Sequence, residues 1–352
     1  MAYTTINKST DHFNIITYSG NGSNPRTLTG VGFQPDWVWQ KNRTDSNGHT
    51  LADAVRGANK TLSSDGNGAE VTDKDDGHLD AFTSDGFTVG AGSSSDARVN
   101  DGSHTYVAWN WKAATAFSNS AGTNGASLAS TGRVNTTAGF SIVSYTGNAT
   151  SGATIAHGLG AVPKMIIVKN RDNGTGNQNW TVYHEGMTGN GAMFLDLTNT
   201  KDANAKYFNN ATPTSSVFTV GDNLGTNGSG DNMIAYCFAE KTGYSKIGTY
   251  VGNGNADGAF IYTGFRPEFS IIKPIATQNW QIHDTKRDGY NVKNDNLAPN
   301  NASAEADNQF MDIVSNGFKL RSSTYSASST TYIYIAFGQS LVGSNNVPNI
   351  AR

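Results

Sequence analysis

Ser141–Arg171 reads SIVSYTGNATSGATIAHGLGAVPKMIIVKNR, and two other stretches repeat its plan. Ile15–Arg43 reads IITYSGNGSNPRTLTGVGFQPDWVWQKNR, and Ile247–Ile275 reads IGTYVGNGNADGAFIYTGFRPEFSIIKPI. Each copy opens on Tyr-x-Gly-Asn (Tyr18, Tyr145, Tyr250), turns through glycines to a proline (Pro35, Pro163, Pro267) and enters an apolar run. Downstream, SDGFTVG at Ser84–Gly90 matches SSVFTVG at Ser215–Gly221 and SNGFKLR at Ser315–Arg321. The copies close on YVAWNW (Tyr106–Trp111), MIAYCF (Met233–Phe238) and YIAFGQ (Tyr334–Gln339). One unit of roughly 100 residues is used three times, and the array sets the fold assignment.

The 352 residues include 40 glycines, only 15% charged side chains and 36 aromatic rings. Such a chain is poor in helix formers, and its aromatic residues at strand-like spacing argue against disorder. The net charge of −3 and pI near 6.1 leave no basic footprint for nucleic acid. A single cysteine, Cys237, excludes an internal disulfide and a thiolate metal cluster, and reads as a small inert side chain. The N-terminus MAYTTINKST lacks the charged start and apolar stretch of a secretory signal. No apolar run approaches the ~18 residues of a membrane span. The expectation is a soluble chain made in a cytoplasm.

The repeats place the boundaries. Residues 1–113 hold the first unit, 139–243 the second, and 244–352 the third with a polar tail. Between the first two lies Ala114–Ala138, rich in Ser, Ala, Gly and Thr, which composition assigns to a flexible linker. The second and third units are nearly fused, which suggests a mobile first domain beside a tighter pair. Trp37 matches Met165 and Phe269, and Trp39 matches Ile167 and Ile271, so both tryptophans belong to the core face of a strand. Val107, Ile234 and Ile335 are matched in the closing strands. The lysine after the post-proline run (Lys41, Lys169, Lys273) is expected where that strand leaves the core. The fold class is all-β: three tandem antiparallel β-sandwiches of jelly-roll or lectin-like type.

The search for chemistry finds no catalytic constellation. Seven histidines give no H-E-x-x-H, and His184-Glu185 and His283-Asp284 point to opposite faces if their segments are strands. The Asp53–Arg56 pair recurs as Asp284–Arg287 but is His184 and Met187 in the second copy, and reads as a surface ion pair. Thr72–Asp80 (TDKDDGHLD) fails the EF-hand register, though an irregular calcium site of loop carboxylates stays open. No cofactor is expected. Aromatic residues of the variable middle segment, Trp180, Tyr183, Trp280 and Tyr290, are the candidates for contact with a glycan or partner. A depolymerase would need paired carboxylates, for which Glu185, Asp196 and Asp284 are the candidates.

HGLGAVPKMIIVKNR, SDGFTVG and TYVAWNWKA together resemble a family of tandem-repeat virion structural proteins of tailed bacteriophages, marine ones especially. TIAHGLG (Thr154–Gly160) is similar to turns of phage tail-fibre segments. The resemblance covers Tyr3 to Arg352 and rests on framework motifs, with no catalytic residue to transfer. It implies a non-enzymatic virion protein, synthesised in the host bacterial cytoplasm and displayed on the particle as a head or neck decoration or a tail fibre or spike component. Its implied partners are capsid, neck or tail proteins, with homo-oligomerisation as a trimer open; neither nucleic acid nor membrane is expected. The alternative is a receptor-binding adhesin for host attachment through cell-surface polysaccharide.

Overall fold

Residues 3–172, 176–187, 191–287, 289 and 291–343 are described in the computed structural model, except the side chains of Asn294 and Gln309. Strands dominate, and among the described residues helix is limited to single turns at Ser9–Asp11 and Leu224–Asn227. The fold is all-β and antiparallel.

In the first repeat the opening strand Phe13–Ser19 pairs with the closing strand Thr105–Trp111. The closing strand pairs in turn with the post-proline strand Trp37–Asn42, which the flanking strand Thr50–Asp53 edges. The third repeat uses the same order with Ser245–Val251, Thr331–Gln339, Arg266–Pro274 and Gln281–Asp284. The second embeds it as Phe140–Thr146, Asn232–Phe238, Met165–Asn170 and Thr181–His184. A second layer covers each inner sheet. It is Arg26–Thr29, Gly86–Gly90 and His78–Thr83 in the first repeat, and Ala153–Ala156 with Val217–Val220 in the second. In the third it is four strands, Phe260–Tyr262, Gly317–Leu320, Ala306–Val314 and Lys293–Asn296. The S-D-G-F turn needs its glycine. A Cβ on Gly86 would stand 2.0 Å from the Leu28 carbonyl oxygen, and one on Gly317 2.0 Å from that of Ile261.

Both faces of the inner sheets are buried, each for a different reason. Odd positions of the first repeat, Trp37, Trp39, Val107, Trp109 and Trp111, join one central core with Ile142, Met165, Ile167, Tyr236 and Phe238 of the second. Ile247, Phe269, Ile271, Ile335 and Phe337 of the third complete it. Even positions face the repeat's own outer layer: Val38, Ala52 and Ala108 pack with Leu28, Phe87 and Val89. Trp37 stacks on Tyr236 at 4.3 Å, and Phe13 lies 5.4 Å from both Phe269 and Phe337, so rings of different repeats interlock. This corrects the mobile first domain: its largest apolar surfaces are buried against the other two repeats, and separating them would expose the tryptophans.

The linker is also corrected. Thr115–Asn119 and Ser130–Asn135 are strands that extend the second repeat's sheet to seven. Leu128 bridges Ile155, and the N–H groups of Ser127 and Leu128 donate to the Thr154 carbonyl. Backbone pairing holds this segment, and small polar residues do not oppose it, so composition alone misreads it.

The closing strands carry a register that repeat matching misses. Trp109 pairs with Trp39, Tyr236 with Ile167, and Ile335 with Ile271. Ile335 therefore occupies the place of Trp109, not that of Val107. The slip is two residues, the strand period, so every side chain keeps its face.

Candidate functional sites: three seams and a polar cavity

The repeats meet at three seams built to one plan. Leu51 pairs with Leu62, Val182 with Met193 and Ile282 with Leu297, so Ser63, Phe194 and Ala298 are equivalent positions. Each accepts a hydrogen bond from a ring at the start of another repeat's flanking strand. Trp180 Nε1 donates to the Ser63 carbonyl (2.9 Å), Trp280 Nε1 to that of Phe194 (2.8 Å), and His49 Nε2 to that of Ala298 (3.0 Å). The His49 tautomer is fixed because Trp39 Nε1 donates to its Nδ1 at 2.8 Å. Second repeat docks on first, third on second and first on third, so the contacts close a head-to-tail ring.

A second set of contacts lies deeper. Tyr236 donates its hydroxyl to Asp53 (2.7 Å), and Trp109 Nε1 donates to Asp284 (3.0 Å). Each aspartate is also paired with its repeat's arginine, Asp53 with Arg56 and Asp284 with Arg287 at 2.6 Å, and all four side chains are fully buried. These are not surface ion pairs. Burial raises Asp284, but Arg287 and the Trp109 N–H outweigh it and hold the carboxyl below its usual range. The arginines continue outward: Arg56 to Glu70 (3.1 Å) and on to Arg171 (2.9 Å), Arg287 to Glu305 (2.7 Å) and on to Arg43 (2.6 Å).

The seam between second and third repeats replaces this chemistry. Ile335, where its relatives have Trp109 and Tyr236, offers no donor, and the facing residue is His184 in place of aspartate. The Gly186 N–H donates to His184 Nδ1, so Nε2 carries the proton and donates to the Tyr334 carbonyl at 3.2 Å. Burial lowers His184 to about 4, so it stays neutral. Met187 and Ile275 stand where the other seams have Arg56 or Arg287 and Arg43 or Arg171.

The recurrent lysines do not leave the core; all three are buried. Lys169 Nζ donates to the carbonyls of Gln178 (2.7 Å) and, across the seam, Asn67 (3.0 Å). Lys273 donates to Pro274 and Ala276 (both 2.8 Å) and, across its seam, to Asn199 (3.3 Å) and Thr198 (3.4 Å). Burial lowers Lys41 and Lys169 to about 8 and Lys273 to about 7.

Trp180 and Trp280 are 0% and 1% exposed, which corrects their reading as glycan-facing rings: they serve the chain's own seams. Tyr183 is half-buried edge-on to Phe208, and Tyr290 lies outside the described residues. The carboxylates proposed for a depolymerase are not brought together as a pair. Asp284 is held in its ion pair, and Glu185 bonds Lys164 at 2.9 Å. Asp196, pushed up to about 6 by burial, accepts the backbone N–H of Trp180. That bond is architectural: Asp65 accepts the backbone N–H of His49, and neutral Asn300 accepts that of Trp280. In the acidic loop Asp76 pairs with Arg98, Asp80 with His78, and Asp75 accepts the Ser93 hydroxyl. Among the described residues no group of three His, Cys, Asp or Glu side chains is placed to hold a metal ion, and no helix is long and apolar enough to cross a membrane.

A cavity of about 470 Å³ opens on the third repeat beside Asn279, Asn308 and Thr324, with Phe310 and Tyr325 in its wall. Nothing in the sequence marks it, because its lining comes from three stretches, 278–281, 296–310 and 322–325, that only the fold brings together.

No curated protein and no solved structure matches the chain. Residues 8–340 do match one family, and the chain belongs to it: the family described as Domain of unknown function (DUF7483).

Proposed function

We propose that the protein is a non-enzymatic structural component of a bacteriophage virion, displayed on the particle surface as a head or neck decoration or a tail fibre or spike component. The observation that carries this reading is the closed ring of three similar sandwiches around one shared core. Such a body presents three related outer sheets from a single chain, which suits multivalent contact with capsid, neck or tail proteins. Two fully buried carboxylates, Asp53 and Asp284, serve to hold repeats together. The resemblance of HGLGAVPKMIIVKNR and TYVAWNWKA to tandem-repeat virion proteins points the same way.

The test is peptide mass spectrometry on particles purified through two density gradients, followed by imaging of particles labelled with an antibody to the third repeat. The chain should co-purify at a fixed ratio to the major coat protein and label a fixed position. Its presence in the lysate and absence from purified particles would overturn the proposal.

A further inference from the structure

The cavity on the third repeat exists because one side chain is missing. Tyr18, Tyr145 and Tyr250 donate their hydroxyls to the carbonyls of Val99, Thr226 and Tyr325, which makes those three positions equivalent. The residue before each is Arg98, Gly225 and Thr324. In the first repeat the Arg98 guanidinium fills the space, bonding the His49 carbonyl (3.1 Å), Ser63 Oγ (3.0 Å) and Asp76 (2.5 Å). In the second, backbone fills it: a Cβ on Gly225 would meet Thr181 Oγ1 at 3.2 Å and the Asn179 carbonyl at 3.5 Å. In the third, Thr324 is too short to reach, and the space is open.

What lines the opening is chemically selective. Gln278, Asn279, Asn296, Asn301, Asn308 and Thr324 contribute amides and a hydroxyl, and none of the lining residues carries a charge. Amides and hydroxyls both donate and accept, as sugar hydroxyls do. A phosphate, carboxylate or ammonium ligand would lose its hydration with no opposite charge to replace it. Part of the lining is already held in place. Gln281 donates to Tyr325 Oη (2.7 Å), which donates to the Asn279 carbonyl (3.2 Å), and Asn300 donates to Asn279 Oδ1 (2.7 Å). Phe310 and Tyr325, edge-to-face at 5.1 Å, give the wall an apolar strip for the C–H face of a pyranose. The volume falls in the range of small-molecule sites.

We propose that this cavity binds a neutral saccharide. The site does not depend on the assignment to a virion, which particle proteomics tests separately. The experiment is saturation-transfer NMR and calorimetry on the full chain with glucose, galactose, mannose, N-acetylglucosamine, maltose and lactose. Glucuronic acid and N-acetylneuraminic acid are the charged comparisons. At least one neutral sugar should bind, with both acids at least tenfold weaker. Thr324→Arg fills the opening with a side chain of the size that Arg98 has in the first repeat, and should weaken binding at least tenfold, with circular dichroism checking that the variant folds. Asn308→Ala, an exposed change, should weaken it about threefold and serves if the arginine variant does not fold. Silence from every neutral sugar, equal binding of the acids, or full affinity in a folded Thr324→Arg protein would overturn the proposal. Full affinity in Asn308→Ala would do so where that variant stands in.

Discussion

The seam between third and first repeats and the seam between second and third share backbone contacts and differ in chemistry. In one, Trp109 donates a hydrogen bond to the Asp284 carboxylate of the buried Asp284–Arg287 pair, and Glu305 and Arg43 extend the network outward. In the other, Ile335 stands in place of the donor and Met187 in place of the arginine, beside a neutral histidine. The difference teaches that the geometry of docking does not require the ion pair. Where the closing strand supplies a donor, an aspartate receives it, and an arginine neutralises the aspartate. Where the donor is lost, the acceptor and its counter-charge are lost with it, so neither a carboxylate nor a guanidinium is stranded there.

Acid should produce the largest effect and reach both seams, through His184 in the neutral one and His49 in the charged one. Burial lowers His184 to about 4, His49 to about 4 and His283 to about 3, against an ordinary value near 6.5. Between pH 6.5 and 4 the unfolded chain takes up protons that the folded chain refuses. The contribution of these histidines is therefore intact above 6.5 and falls as pH drops through this window, by about 1.4 kcal/mol per pH unit for each, with Asp196, raised to about 6, offsetting part of the loss. Melting temperature recorded from pH 7 to 4 checks the slope, and hydrogen exchange should show protection lost around both Tyr334 and Ala298. A flat profile would mean that the histidines charge without cost.

Next in size is Arg287→Ala, which strands Asp284 and should cost about 3–5 kcal/mol in urea unfolding. Converting the first–second seam to the neutral pattern with Asp53→His, Arg56→Met and Tyr236→Ile should cost clearly less than Arg56→Ala alone. If the triple variant were the less stable of the two, the coupling of donor to acceptor would be wrong. The smallest effect belongs to the rim. Arg171→Ile copies Ile275 and leaves Arg56 beside Glu70, so it should cost about 1 kcal/mol or less, and added salt should shrink the difference.

These contrasts also mark what the sequence could say. Trp37 and Trp39 were legible as core because their repeat partners are apolar at period two, and the layered all-β plan followed from that alternation. The seams were not legible. Asp53–Arg56 looks like a surface pair because nothing local reveals that Tyr236, more than 180 positions away, closes over it. Trp180 and Trp280 look like exposed platforms because they begin a variable segment, yet that segment varies because each seam is solved differently. The two-residue slip at Ile335 was invisible for a physical reason: a shift of one strand period preserves every inward residue. The cavity needed the comparison of Arg98 with Thr324, whose equivalence is set by tyrosine hydroxyl bonds and not by sequence likeness.

The head-to-tail ring is made from one polypeptide, and this frees its parts from each other. Three identical subunits would be obliged to carry the same residue at every junction, so an aspartate here would force an aspartate everywhere. Covalent continuity lifts that obligation: one junction can hold histidine while two hold charge, and one sandwich can forgo an arginine to leave an opening. Dilution cannot take the assembly apart either, since the neighbours are never more than a tether's length away.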